Sequence, residues 1–430
     1  MNYNFATDEN HALQLDSEDP LAKFRSRFYI PKGIIYVDGN SLGLLSKDAE
    51  KSLLRVLNEW KTLGIHGWLE AECPWFYFGE ELGAMAAPLV GAEPEEVVTT
   101  GTTTLNLHSL VSTFYQPKGK KTKILADELN FPSDIYALKN QVRLRGLDPE
   151  QHLILVPSED GRFLDEDKIV ELMTEDIALI VLPSALYRSG QLLDIPYLTE
   201  EAHNRGIPIG FDCSHSVGAV PHYFDEWKVD FAFWCSYKYL NSGPGGTAFI
   251  YINKKHFHLE PAITGWFGYV KEKQFDMLLE FEHAKSAGGW QISSSNILCS
   301  APLEGALKVT LEAGIKAIRE KSIKMTSYLI YLIDQLLTAE PYNFKIGTPR
   351  DPEKRTGHVA LEHEREAMRI CEALRARGVV PDFRPPNIIR IAPCALYNTY
   401  HEIWQIVRLI KETIDQKSYE QFPKARKTIS

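Results

Sequence analysis

Short apolar runs alternate with helix-like stretches through the middle of this chain, and this alternation limits the possible folds more than any other feature. The runs cover 97–100, 123–126, 153–156, 177–182, 208–211, 231–235 and 248–252. Strands that alternate with helices predict a largely parallel sheet with helices on both faces. Because both faces are then buried, 177–182 reads Ile-Ala-Leu-Ile-Val-Leu without a polar position. In such sheets, ligands bind beyond the carboxyl ends of the strands.

The pattern changes after Pro302 to a long amphipathic helical tract, with Leu303, Leu307, Leu311, Ile315 and Ile318 at helical spacing. We expect this tract to lead into a smaller α+β domain. Its predicted parts are a loop at 347–352, a strand near His358 to Leu361 and a helix through Arg365 to Arg377. The expected divisions are an N-terminal segment of 1–50 that packs with the small domain, a large domain of 51–305 and a small domain of 306–430.

Two charged residues next to neighbouring strand-like runs suggest a cofactor. Asp212 closes one run, and Lys238 stands in Ser-Tyr-Lys-Tyr just after the run 231–235. In enzymes that use pyridoxal 5'-phosphate (PLP), a lysine amine binds the aldehyde and a carboxylate keeps the pyridine nitrogen protonated. Structural ion pairs and surface charges produce the same spacing more often, so these two residues alone leave the cofactor open.

A phosphate site is expected where a helix follows a strand. Gly101-Thr102-Thr103-Thr104 lies between the run 97–100 and the helix-like stretch 105–114. A helix start offers free N–H groups and the positive end of its dipole to an anion. The alternative is an ordinary helix cap with incidental threonines.

Composition excludes several classes of function. The 430 residues carry a formal net charge of −10 with a pI near 5.8, which argues against general binding to nucleic acids or anionic membranes. The six cysteines show neither Cys-x-x-Cys pairs nor metal-ligand spacing with histidine, so we expect reduced thiols and no metal site. The acidic start lacks the features of a signal peptide and no apolar run approaches a membrane span, which predicts a cytoplasmic protein.

Five motifs then occur in an order that resembles the kynureninase family. They are Asp38-Gly39-Asn40-Ser41-Leu42-Gly43, Phe131-Pro132-Ser133-Asp134, Asp212-Cys213-Ser214-His215, Trp234-Cys235-Ser236-Tyr237-Lys238-Tyr239-Leu240-Asn241 and Gly265-Trp266-Phe267-Gly268. The resemblance runs from about Asp38 to the region of Arg390. It implies a PLP-dependent transferase-like fold, with a large domain on a mostly parallel seven-stranded sheet and a smaller α+β domain. It also implies PLP as cofactor and a homodimer with shared active sites.

The resemblance further implies roles for individual residues. Lys238, Tyr237 and Asp212 would be catalytic, and Phe131 would stack on the pyridine ring. Trp266 would reach the cofactor phosphate from the partner subunit. The full set of implied cofactor contacts is Thr103, Thr104, Phe131, Ser133, Asp134, Ser184, Asp212, His215, Tyr237, Lys238, Trp266 and Ser294.

Implied substrate contacts are Ser41, Trp68 and Arg390. Arg390, in Ile-Arg-Ile-Ala-Pro, would bind the carboxylate of an amino-acid substrate, for which a planar two-pronged donor is suited. Trp68 stands where the family commonly has a histidine that senses the substrate ring. His66 is the alternative at that place, with Asn296 a further candidate.

The implied activity is hydrolysis of the Cβ–Cγ bond of L-kynurenine, 3-hydroxykynurenine or a related γ-keto amino acid, which yields anthranilate or its analogue and L-alanine. This reaction belongs to tryptophan catabolism and NAD biosynthesis. The alternatives are another PLP enzyme of the same fold (a desulfurase, lyase or transaminase) and a PLP-binding protein without turnover. A desulfurase needs a mobile acceptor cysteine, and none of the six stands in an obvious catalytic loop.

Overall fold

Strands form at every apolar run that the sequence indicates. The computed structural model describes residues 3–424. In chain order, its strands are β1 (Ile35–Tyr36), β2 (Val97–Thr100), β3 (Lys123–Asp127), β4 (Leu153–Val156), β5 (Ile177–Pro183), β6 (Ile209–Asp212), β7 (Phe231–Cys235), β8 (Ala248–Ile252), β9 (Lys345–Ile346), β10 (Val359–Glu362), β11 (Val379–Val380), β12 (Asp382–Arg384) and β13 (Ile388–Ile391).

The large sheet confirms the predicted α/β architecture. Its seven strands lie in the order β2-β8-β7-β6-β5-β3-β4. All neighbouring pairs are parallel except those of β8, which runs antiparallel to both β2 and β7. The carboxyl ends of β2, β3, β5, β6 and β7 therefore lie at the same edge, and the loops that follow them meet there.

Both faces of this sheet are packed against apolar side chains. Along β7, Ala232 and Trp234 face one buried cluster, whereas Phe231 and Phe233 face the other. Successive side chains of a strand point to opposite faces, so a strand between two cores is apolar at every position. Because β7 is held between two cores, the chain that leaves its carboxyl end has a fixed starting point. Lys238 follows that end after two residues.

Helices cover the sheet and build most of the remaining structure. They are α1 (Glu9–Ser17), α2 (Lys47–Leu63), α3 (Gly67–Glu70), α4 (Phe78–Val90), α5 (Thr103–Phe114), α6 (Pro132–Leu144), α7 (Pro149–His152), α8 (Glu166–Glu171), α9 (Ile195–Asn204), α10 (Phe224–Trp227), α11 (Ile297–Ala313), α12 (Ile315–Leu336), α13 (Ala367–Ala376) and α14 (Tyr400–Asp415). None of the helices within residues 3–424 combines the length and the apolar character needed to cross a membrane.

The predicted helical tract after Pro302 is two helices rather than one. It breaks at Gly314, which lies between α11 and α12 with a φ of 79°. This left-handed conformation is accessible to glycine without a steric penalty, so the chain turns here despite the continuing apolar spacing. The tract also begins earlier than expected, at Ile297.

A second core lies in the C-terminal part of the chain. The antiparallel sheet β12-β13-β10-β9 packs with α12, α13 and α14 around buried residues such as Leu329 and Ile389. The N-terminal segment joins this part, because β1 pairs in parallel with β11. The domain limits at 50 and 305 stay predictions; α11 spans the second limit, and residues 1–2 and 425–430 lie outside the described residues.

Candidate active site

A cleft opens at the carboxyl edge of the large sheet, and its free space, including the part open to solvent, is about 540 Å³. The lining includes many of the residues predicted as cofactor contacts, namely Thr103, Thr104, Phe131, Ser133, Asp134, Asp212, His215, Tyr237 and Lys238.

Lys238 lies against a buried histidine in this cleft. Its Nζ is 2.9 Å from Nε2 of His215. Burial, with the nearby Lys238 and Arg390 charges, holds the pKa of His215 well below its usual value. A neutral imidazole can accept a hydrogen bond from the lysine amine at Nε2, which leaves the proton on Nδ1. Nδ1 is buried and has no hydrogen-bond partner among the described residues.

Two carboxyl groups share the base of the cleft. Asp212 ends β6, and its Oδ1 accepts a hydrogen bond of 2.8 Å from the backbone N–H of Ser214. Asp134 is buried in the first turn of α6. Burial raises the pKa of Asp134 well above its usual range, and the neighbouring Asp212 raises it further. Loss of the proton from Asp134 is therefore disfavoured beside Asp212.

Hydroxyl groups meet at the start of α5. The Oγ1 of Thr104 lies 2.8 Å from the Oγ of Ser133 at the start of α6. The cap residue Thr102 makes no side-chain hydrogen bond to the helix, which leaves N–H groups of the first turn for a ligand. Gly101 has a φ of 53°, and a Cβ there would lie 2.5 Å from Oδ1 of Asn106. Glycine is thus required for the turn that brings the threonines to the cleft.

Tyr237 lies in the lining of the cleft, whereas Ser184 is buried behind that lining. Tyr237 lines the cleft, and burial, with the nearby Cys235 thiol, raises the pKa of its phenol so that the hydroxyl stays protonated. Ser184 is fully buried and does not line the cleft. Its Oγ donates to the backbone carbonyl of Asp212 at 3.0 Å and lies 2.6 Å from Oγ of Ser216. The structure therefore places Ser184 beneath Asp212.

Arg390 joins three parts of the chain beside this cleft. It lies on β13 opposite Asp382 of β12, and its Nε donates to Oδ2 of Asp382 at 2.6 Å. Nη1 donates to the carbonyl of Tyr187 at 2.7 Å, and Nη2 donates to Oγ of Ser41 at 3.0 Å and pairs with Asp382. Hydrogen bonds thus use one N–H group each of Nε, Nη1 and Nη2, and the second N–H group of Nη1 remains free for a ligand.

The remaining predicted residues lie elsewhere in the chain. Trp68, Trp266 and Ser294 line a second, mostly apolar cleft together with His66. Trp68 packs near Trp75 and Phe267, with ring centroids 6.0 Å away in each case. Asn296 lines a neighbouring cleft that shares Trp68. None of these side chains lines the cleft of Lys238 within one chain.

Sequence reasoning missed several residues at the first cleft. Asn130, Tyr187 and Ser214 line it, and each follows a strand that ends at the same sheet edge. Their position after a strand could have identified them from the sequence, because the loops that follow parallel strands form the ligand site in such sheets. Asp382 gave no such signal, since its contact with Arg390 depends on the register of β12 against β13.

The residues of the cleft fit PLP. They provide an amine, a carboxylate at the sheet edge, an aromatic ring, hydroxyl groups at a helix start and a neutral histidine. Two buried side-chain atoms that face these groups, His215 Nδ1 and Asp134 Oδ2, lack a hydrogen-bond partner among residues 3–424. Buried polar atoms are normally satisfied, so these two are consistent with a polar ligand in the cleft.

Comparisons of this sequence with those of known proteins agree with one another. The family model of the kynureninase C-terminal domain matches residues 318–410. A kynureninase of Geobacillus thermodenitrificans is 57% identical over 419 residues, which cover 97% of either chain. A kynureninase of Bacillus cereus is 56% identical over 426 residues, with 99% of either chain covered.

Solved structures with a similar fold are more distant in sequence. A cysteine desulfurase of Thermococcus onnurineus is 17% identical with a TM-score of 0.78, and the match covers 92% of this chain and 98% of that one. A C-DES mutant with glycine covalently linked to its PLP cofactor is 16% identical with a TM-score of 0.77, covering 90% and 98%. These likenesses establish the fold alone.

Proposed function

Because the chain belongs to the kynureninase family, we infer that it catalyses the PLP-dependent hydrolysis of the Cβ–Cγ bond of L-kynurenine, which yields anthranilate and L-alanine. The observation that carries this conclusion is the 57% identity to a kynureninase over nearly the full length of both chains. The cleft of Lys238 and Asp212 beside Arg390 supports it. The alternative of a desulfurase rests on fold similarity at 16–17% identity, which says nothing about the substrate.

The cofactor contacts of the cleft follow from its chemistry. When bound, PLP supplies an electron-accepting ring that stabilises charge at the substrate Cα. We assign the covalent attachment and the movement of the Cα proton to the Lys238 amine. Asp212 would pair with the ring nitrogen, beside Asp134, whose pKa is raised well above its usual range by burial and by Asp212. Phe131 would cover the ring face and His215 would lie beside the ring, since both side chains line the cleft.

The phosphate is assigned to the hydroxyl groups at the starts of α5 and α6. Thr103, Thr104 and Ser133 lie where free N–H groups and the helix dipole favour an anion. Tyr237 lies near these groups in the same cleft and remains protonated, so it can donate a proton to Cβ of the alanine fragment when the Cβ–Cγ bond breaks. Ser184 acts indirectly, because its hydroxyl holds the Asp212 backbone.

The substrate carboxylate is assigned to Arg390 and Ser41. One Nη1 N–H of Arg390 is uncommitted and can donate to a carboxylate oxygen, and the Ser41 hydroxyl lies next to Nη2. Asp382 compensates the guanidinium charge and fixes its plane through Nε and Nη2. This arrangement selects an amino acid by its carboxylate, independently of the side chain.

We propose that the enzyme is a cytoplasmic homodimer with shared active sites. Trp68, Trp266 and Ser294 lie outside the cleft of their own chain, which supports a contribution to the partner's site. The cleft that they line is flanked by exposed apolar side chains, including Ile65, Leu69 and Phe275. Exposed apolar patches of this kind mark protein interfaces. All six cysteines are free, which suits a reducing compartment.

Product analysis tests this function. Purified protein with PLP is incubated with L-kynurenine, 3-hydroxykynurenine and L-cysteine, and the products are identified by mass spectrometry. We expect anthranilate and alanine in equal amounts from kynurenine. Release of sulfur from cysteine without turnover of either kynurenine would overturn the assignment, and the Lys238→Ala protein is the matched control for background chemistry.

A further inference from the structure

Tyr187 lies between two residues of the active-site cleft. Its ring centroid is 5.4 Å from that of Phe131 with the planes at 87°, and 6.4 Å from that of His215. Phe131 is 45% exposed, and no other ring among the described residues contacts it. Edge-to-face packing is a favoured geometry for aromatic pairs. Tyr187 is therefore the aromatic support of the Phe131 ring.

The backbone of Tyr187 belongs to a segment that the C-terminal part of the chain holds firmly. Four successive carbonyls, from Tyr187 to Gly190, accept hydrogen bonds from that part. The donors are Nη1 of Arg390 at 2.7 Å, Nε2 of His358 at 3.4 Å, Oγ1 of Thr348 at 2.6 Å and the backbone N–H of Thr356 at 2.8 Å, respectively.

The segment is also closed on itself. The N–H of Leu186 donates to the carbonyl of Gln191 at 2.8 Å, and the N–H of Gly190 donates to the carbonyl of Leu186 at 2.9 Å. The Gln191 side chain pairs with both backbone groups of Leu164 at 2.8 Å. A backbone anchored on both sides leaves the Tyr187 ring little freedom to move away from Phe131.

We propose that Tyr187 is a positioning residue that holds the Phe131 ring over the cofactor and ties it to the carboxylate-binding Arg390. The proposal rests on the proposed function, which places PLP beneath Phe131. Through its side chain, Tyr187 contacts the Phe131 ring, which orients the cofactor. Through its backbone carbonyl, Tyr187 contacts Arg390, which orients the substrate. The cofactor plane and the substrate carboxylate keep a fixed relation as a result, which is the geometry that loss of the Cα proton requires.

The test compares Tyr187→Leu, Tyr187→Phe and the control Tyr197→Leu as holoenzymes. Tyr197 lies at the outer face of the large domain, where its hydroxyl contacts Asp167. We measure the release rate of PLP on dilution, the induced circular dichroism of the cofactor band, and kcat and KM. Tyr187→Leu should release PLP about three- to tenfold faster, which corresponds to about 0.7–1.4 kcal/mol at 1.4 kcal/mol per tenfold. It should also lower the dichroism per bound PLP.

The conservative variant Tyr187→Phe distinguishes a role of the aromatic ring from a role of the hydroxyl group. Tyr187→Phe keeps the edge-to-face contact and should match the wild type within about twofold in release rate, dichroism and kcat. If Tyr187→Phe is as impaired as Tyr187→Leu, the phenol acts chemically and the positioning role is wrong. If Tyr187→Leu matches the wild type, the ring does not support Phe131. Absence of a PLP band in the wild type would instead overturn the proposed function.

The Tyr187→Leu protein can be poorly folded at higher temperature. In that event, a double-mutant cycle with Phe131→Leu tests the positioning role of Tyr187. Because the two rings act as a pair, Tyr187→Leu should change PLP release by less than about twofold once Phe131 is already leucine. Additive effects of the two substitutions would overturn the proposal. General loss of structure would be additive, so the cycle distinguishes positioning from stability.

Discussion

Nζ of Lys238 lies 2.9 Å from Nε2 of His215, and both side chains line one cleft at the edge of the sheet. The histidine is neutral because its pKa is held well below the usual value by burial and by the nearby charges. It can therefore accept a hydrogen bond from the lysine without competing for its proton. This contact holds the amine within the cleft, where the cofactor aldehyde is expected.

Lys238→Ala should abolish covalent attachment of PLP. Borohydride reduction of the wild type, followed by peptide mapping, should place the reduced cofactor on Lys238, because no other lysine lines this cleft among the described residues. The variant should show no reduced cofactor on any peptide. Recovery of the cofactor on another lysine would show that the site assignment is wrong.

Asp212→Asn should keep PLP bound but slow removal of the Cα proton. A neutral amide loses the charged hydrogen bond to the ring nitrogen, and such bonds contribute about 1.5–3 kcal/mol, or about 10- to 150-fold in rate. Exchange of the alanine Cα hydrogen with deuterated solvent, followed by NMR, measures this step directly. An unchanged exchange rate would exclude the role of Asp212.

Trp68→His should change the ratio of kcat/KM for kynurenine over 3-hydroxykynurenine. An indole offers one donor where an imidazole both donates and accepts, so a ring hydroxyl is recognised differently. A buried hydrogen-bond partner is worth about 1–3 kcal/mol, enough for a change of about one to two orders of magnitude. Trp60→His, in a cleft that also contains Trp68, is the control.

Arg390→Lys provides the contrast for that measurement. It keeps a charge for Asp382 but loses the planar fork, so KM should rise for both substrates alike while the ratio stays constant. If Trp68→His leaves the ratio within about twofold of the wild type, which is about 0.4 kcal/mol, the substrate ring is sensed elsewhere. His66 and Asn296 are then the next positions to vary.

Mixing two inactive variants should restore activity if each site uses both subunits. We expect Lys238→Ala and Trp266→Ala chains to be strongly impaired as homodimers. A mixed dimer holds one site with an intact Lys238 and an intact Trp266 from the partner, so re-equilibrated mixtures should reach about a quarter of wild-type activity. Sedimentation verifies the dimer, and activity that stays at the sum of the two variants would refute shared sites.

Asp230→Asn should destabilise the fold by about 3–5 kcal/mol, the typical cost of breaking a buried ion pair. Asp230 is buried, and its carboxylate contacts His203 at 2.9 Å and both His256 and Lys255 at 2.7 Å. Burial alone would raise the pKa of Asp230, but these partners outweigh it and hold the pKa far below the usual value. Urea unfolding measures the loss of folding stability. The control is Asp225→Asn, which removes the carboxylate of a more exposed ion pair with Lys254.

The pH dependence of this effect has a definite sign. Since the folded pKa of Asp230 is lowered, its contribution is fully present above the ordinary aspartate pKa of about 3.9 and is lost as pH falls further. The stability difference between wild type and Asp230→Asn should therefore shrink as pH falls below about 4. A difference that stays the same below about pH 4 would contradict the assigned contacts.

The large sheet was predictable from the sequence because its strands are buried on both faces. Ile177–Pro183 has no exposed position, so its apolar run marks both ends of the strand to within one residue. The antiparallel direction of Ala248–Ile252 was not predictable, since an apolar run carries no sign of its direction. The break at Gly314 was missed because apolar spacing continues through it while the backbone does not.

The candidate site was predictable only where residues adjoin the strands. Asp212 and Lys238 stand directly after two strands, so local sequence reveals them. The guanidinium of Arg390 instead depends on Asp382 across a strand pair and on the Tyr187 carbonyl 203 positions away. Such contacts arise from register and domain packing, which a single sequence does not encode locally.

The hydrogen bond between Ser41 and Arg390 joins residues 349 positions apart, whereas the assigned cofactor contacts from Thr103 to Lys238 lie between them in the sequence. During translation, the ribosome completes those cofactor contacts more than 150 residues before it adds Arg390. Domains generally fold in the order of their synthesis. A nascent chain thus carries its own residues of the Lys238 cleft before it gains Arg390, the anchor assigned to the substrate carboxylate.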